Sequence, residues 1–91
     1  MDTVDRIILA IEQEGLSRRE LEKLTGVKAK RWENICGRLA KPYAVEIEAL
    51  SNLWPEYTCW LASGREIPEA GQISPMTKKA HELSKTAPKA G

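Results

Sequence analysis

Lys28, Lys30, Arg31 and Asn34 fall within seven consecutive residues and carry the donor groups that read nucleic-acid base edges. Cationic side chains pair with guanine O6 and N7, a carboxamide pairs with adenine, and the intervening Ala29 offers an apolar contact for a thymine methyl. Arg18, Arg19, Arg38 and Lys41 flank this set and are candidates for phosphate contact, which needs charge but no base sequence. Most cationic runs are only a solvated face. Here the charge is concentrated. Residues 18–41 hold eight Lys/Arg against three Glu, whereas segment 1–17 is net −3, segment 42–77 is −4 and segment 78–91 is +3, although all 91 residues together are only +1. Such a patch raises the rate of encounter with a polyanion when the acidic segments face away.

Catalysis has no comparable constellation. The only histidine is His81, no Ser-His or Cys-His arrangement or Gly-rich phosphate loop occurs, and Cys36 and Cys59 have no histidine beside them to complete a zinc site. The reading is therefore a non-enzymatic chain with neither metal nor cofactor. In a reducing compartment the two cysteines are expected as buried small hydrophobes rather than a disulfide.

The elements that must position the basic residues announce themselves locally. Ser17 and Glu20 form a capping box, with Leu16 and Leu21 as the hydrophobic staple around it, so a helix should begin at Arg18. Its apolar residues Leu21 and Leu24 are spaced i, i+3 and are expected inward, with Arg18, Arg19, Glu22 and Lys23 outward. Gly26 suits a left-handed turn that ends this helix, and Val27 fills the angle that follows. Lys28 to Gly37 reads as a second helix, with Trp32 and Ile35 inward and the donor set outward.

Residues 18–37 thus resemble the helix-turn-helix of the phage repressor and Cro-like (XRE) superfamily, through Leu21, Thr25, Gly26, Val27, Trp32 and Ile35 at its buried and turn positions. The later Trp60-Leu61-x-x-Gly64 also resembles a segment of many members, and the stretch Pro68 to Pro75 looks like the tail of small prophage-encoded regulators. Three residues depart from the family pattern: Glu22 replaces a small alanine, Lys28 a serine cap, and Cys36 a common glutamate. The resemblance implies an all-α, five-helix lambda-repressor-like domain that binds double-stranded DNA.

Further helices are expected from about Thr3 to Glu14, where Val4, Ile7, Ile8 and Ile11 form one stripe, from Ala44 to Trp54, and from Glu56 to Ser63. Trp32, Trp54 and Trp60 sit at helical spacing with Ile and Leu, so they read as core and not as a base-stacking platform. Apolar content falls after Ile67. Residues 1–67 are read as the DNA-binding domain and 68–91 as an extended or disordered flexible tail, with 76–91 at most transiently helical. No apolar run approaches the roughly 20 residues that cross a bilayer, and the acidic start is unlike a secretory signal, so no membrane association and a cytoplasmic location are expected.

The resemblance implies a transcriptional regulator, a repressor of phage or prophage type. One reading helix covers few base pairs, so a homodimer on a palindromic operator is expected, with the fourth and fifth helices and the Pro68–Pro75 extension as its interface. The alternative is a protein-interaction module that keeps the fold but binds another regulatory protein, because fold alone does not assign function.

Overall fold

Each turn of this chain is closed by a local device, and together these set the helix order. The computed structural model describes residues 1–86. Its helices are α1 (Thr3–Glu14), α2 (Arg18–Thr25), α3 (Ala29–Cys36), α4 (Ala44–Leu53), α5 (Thr58–Ser63) and α6 (Pro75–Thr86), with 3-10 turns at Pro55–Tyr57 and Pro68–Ala70. The all-α class agrees with the sequence reading; the described residues hold six α-helices rather than five.

Helix α1 starts from a reciprocal cap, in which Asp2 accepts the Asp5 N–H at 2.8 Å and Asp5 accepts the Asp2 N–H at 3.0 Å. Ile7, Ala10 and Ile11 on its inner face are buried in one cluster with Leu21 of α2, Trp32 and Ile35 of α3, Leu50 of α4, Trp54 and Tyr57 around the 3-10 turn, and Trp60 and Leu61 of α5. All three tryptophans are core, as their spacing requires. Helix α2 packs on α3 and α4, and α1 packs on α3, α5 and α6. Cys36 and Cys59 are free thiols, each half-buried, and burial raises the Cys36 pKa above the ordinary thiol value.

Four expectations change. Leu24 is 57% exposed rather than inward. The inner face of α2 runs from Leu21 to Thr25, at i, i+4, and Thr25 lies beside Trp32. The fifth helix begins at Thr58 after a 3-10 turn, because Pro55 has no N–H to continue α4. The helix of the basic segment begins at Ala29, with Lys28 as a cap residue that makes no side-chain cap bond.

The largest change is at the end of the chain, where residues 75–86 are helical instead of a disordered tail. Polar contacts hold them. Ser74 accepts the Thr77 N–H at 3.2 Å, as a helix cap does, and Glu66 accepts the Ser74 N–H at 2.8 Å. Lys78 Nζ lies 2.9 Å from both Glu14 and Glu56, and 5.4 Å from the centre of the Tyr57 ring, whose hydroxyl donates to Glu14 at 2.8 Å. The segment before α6 lies on its own chain: Ile67 and Gln72 pair through both backbone bonds, Gln72 accepts the Cys59 N–H, and Ile73 packs against the core. The rest of the expected tail, residues 87–91, lies outside the described residues.

Candidate nucleic-acid interface

The α2–turn–α3 unit is built around Thr25. Its hydroxyl donates to the Leu21 carbonyl at 2.6 Å and accepts both the Val27 N–H at 3.2 Å and the Trp32 indole N–H at 3.3 Å. One oxygen therefore couples the end of α2, the turn and the inward anchor of α3. Gly26 between them has φ +78, a left-handed conformation that L side chains rarely adopt. At the front of α2 the capping box forms as its residues require, with Ser17 accepting from Glu20 N–H and Glu20 accepting from Ser17 N–H. That contact holds the Glu20 carboxyl below its ordinary pKa.

Glu22 resolves two of the departures from the family pattern at once. Its carboxylate accepts the Ala29 N–H at 2.7 Å, so the cap that Lys28 cannot supply to α3 comes from α2. A carboxylate there satisfies a free backbone donor and faces the positive end of the helix dipole. The sequence reading placed Glu22 outward; it is half-buried and bridges the two helices.

With Trp32 and Ile35 fully buried, the outer face of α3 presents Lys30, Glu33 and Asn34. Lys30 and Glu33 form a loose surface pair at 3.6 Å, with side chains 76% and 66% exposed. Lys28 is exposed at the head of α3, and Ala29 is half-buried beside it. Asn34 is half-buried, and its backbone carbonyl closes the next loop by accepting from Leu39 and Ala40 N–H. Arg31 lies differently from Lys30: its guanidinium turns toward α4 and bonds to Glu46 and the Lys41 carbonyl. Lys30 and Asn34 thus lie one turn apart on the outer side of α3, with Lys28 at its head and Arg31 at the flank.

Of the four candidate phosphate residues, Arg19 and Lys41 are exposed, and Arg18 is half-buried at the start of α2. Arg38 is exposed but carries partners of its own, since its guanidinium pairs with Asp2 and Asp5 at the cap of α1. The same contacts raise the Arg38 pKa, while the Asp5 backbone N–H and then Arg38 lower that of Asp2. Arg38 also holds φ +62, a left-handed conformation uncommon outside glycine. Sequence reasoning missed Glu33 on the outer face, and Tyr43 and Glu46 behind Arg31. Glu33 was legible from its i+3 spacing to Lys30, whereas the partners of Arg31 had no local signal.

Among the described residues, no helix is long and apolar enough to cross a membrane. No family model matches the chain. It is 32% identical over 91 residues to repressor protein C of Escherichia phage P2, an alignment that covers 96% of this chain and 90% of the relative. Among solved structures it is similar to Pf6r from the filamentous phage Pf6 of Pseudomonas aeruginosa, with a TM-score of 0.73 and 30% identity over 84% of this chain and 97% of that one. The capped α2, the glycine turn and the anchored α3 occur in a chain that matches a phage repressor along nearly its whole length, and the protein belongs to the phage repressor family of helix-turn-helix proteins.

Proposed function

We propose that this protein binds double-stranded DNA in a sequence-specific manner and represses transcription by occupying an operator. The observation that carries the reading is the two-sidedness of α3: Trp32 and Ile35 are fully buried, while the opposite side offers Lys30, Glu33 and Asn34. A helix held this way enters the major groove with Lys28, Ala29, Lys30 and Asn34 near base edges. Glu33 adds an acceptor suited to the cytosine amino group. Arg18 and Arg19 then face phosphates at the start of α2, where charge and free N–H groups act together. Arg38 and Lys41 do so from the other end, Arg38 by exchanging Asp2 and Asp5 for phosphate.

The acting species is a homodimer in the cytoplasm, on a palindrome whose half-sites are about 34 Å apart. Its interface is assigned to the α4 and α5 side. Support comes from a groove of about 710 Å³ bordered by Val4, Tyr43, Ile47 and Leu61, and from the exposure of Tyr43 and Val45 beside it. Repression by occlusion needs no catalytic chemistry. Selection of bound sequences from a random duplex pool, followed by salt titration on the enriched site, tests the reading. A two-fold symmetric consensus with a steep salt slope supports it, and no enrichment overturns it.

A further inference from the structure

Arg31 is the one cation of α3 whose head group is committed within the fold. Its Nη2 donates to Glu46 Oε1 at 2.8 Å and to the Lys41 carbonyl at 2.7 Å, and the guanidinium lies 4.8 Å from the centre of the Tyr43 ring. Glu46 Oε1 also accepts the Tyr43 N–H at 2.8 Å, so a single carboxylate joins α3, the loop after it and the first turn of α4. Glu46 is only 3% exposed, and among the described residues Arg31 is the cation it pairs with. Swinging Arg31 out to a base would leave that carboxylate buried and uncompensated, which is strongly unfavourable.

We propose that Arg31 is a positioning residue for sequence discrimination and not a base-reading one: through Glu46 it sets the angle at which Lys30 and Asn34 meet the groove. The proposal rests on the DNA-binding reading above. Base-edge hydrogen bonds weaken steeply with misalignment, whereas attraction to phosphates tolerates it. Losing the clamp therefore degrades recognition of the operator more than binding to arbitrary duplex.

The test uses Arg31→Lys, which keeps the charge but lacks the planar fork, and Glu46→Gln, which keeps the size but removes the charge. Each is checked for folding by circular dichroism, then titrated against the operator that the unaltered protein selects and against random duplex. Both are expected to lower the operator-to-random affinity ratio by about tenfold, evenly across base positions and with an unchanged salt slope, and the double variant by little more than either single one. The pair Arg31→Gln with Glu46→Gln strands no charge and should act in the same direction, so it decides the matter if the single variants do not fold. A loss at one base position for Arg31→Lys with Glu46→Gln unaffected makes Arg31 a base reader, and a salt slope reduced by about one makes it a phosphate contact. Either result overturns the positioning role alone; if the unaltered protein selects no sequence, the DNA-binding reading fails and this role with it.

Discussion

Helices α3 and α6 are both fixed to the same body, yet by different balances of apolar and ionic contact. Helix α3 is held chiefly by apolar anchors, Trp32 and Ile35, each with no exposed surface, and the Arg31–Glu46 pair and the Glu22 cap add to them. Helix α6 is held by charge and hydrogen bonds, chiefly Lys78 between Glu14 and Glu56 and the Ser74–Glu66 contact at its start. Apolar burial scales with area and survives changes of pH and salt, whereas an ion pair depends on the charge state of both partners. The element proposed to read DNA is thus attached in the more robust way.

Trp32→Ala attacks the apolar attachment and should have the largest effect. A cavity of that size costs about 3–5 kcal/mol, a large share of the total stability of a small domain, so urea melts should show a collapse of the midpoint. Preserved stability would mean that α3 is held by something other than its indole.

Lys78→Met separates the second attachment from the first. It leaves Glu14 and Glu56 without their cation, at an expected cost of about 1–3 kcal/mol. Hydrogen exchange should then show lost protection in α6 while α3 amides keep theirs. Equal loosening of both helices would erase the distinction between them.

Glu22→Ala is a smaller perturbation, confined to the cap. Removing the acceptor of the Ala29 N–H should cost about 1 kcal/mol in urea melts, and Glu22→Gln, which keeps an acceptor oxygen, should cost less. Identical losses for both variants would show that the carboxylate charge, and not the hydrogen bond, carries the cap.

Acid should expose the contrast most gently. Hydrogen bonding from Thr77 and from the Ser74 backbone lowers the Glu66 pKa, so the ionised form is favoured by the fold. Its contribution is present above the ordinary glutamate value of 4.5 and is lost as pH falls from there through the lowered one. On the alkaline side Lys78 follows the reverse sign. Burial works against its charge, but hydrogen bonds to Glu14 and Glu56 outweigh that and raise its pKa, so its contribution persists below the ordinary lysine value and is lost as pH rises through the raised one. Protection of α6 amides, followed from pH 6 down to pH 3, should decline before that of α3, within about a factor of ten. Simultaneous decline would argue that the two helices open as one unit.

Much of the α2–turn–α3 unit was legible because its determinants are local. Ser17 with Glu20, Gly26, and the Trp32–Ile35 spacing all act within one or two turns, and each formed as the residues require. Helix α6 was missed although Ser74-Pro75 is itself a start signal, a cap followed by proline at the first helical position. Its shortage of large apolar residues concealed it, and the partners that replace them, Glu14 and Glu56, stand 64 and 22 residues away from Lys78.

From its order of residues alone this chain determined the limits of α1 and α2, the glycine break and the burial of its tryptophans, because capping and a period of 3.6 residues operate between near neighbours. Only the tertiary structure decided that Arg31 turns to Glu46, that Glu22 caps α3 and that α6 docks on α1. A charged side chain takes whichever opposite charge the folded chain carries to it, and that distance does not exist until the helices have packed.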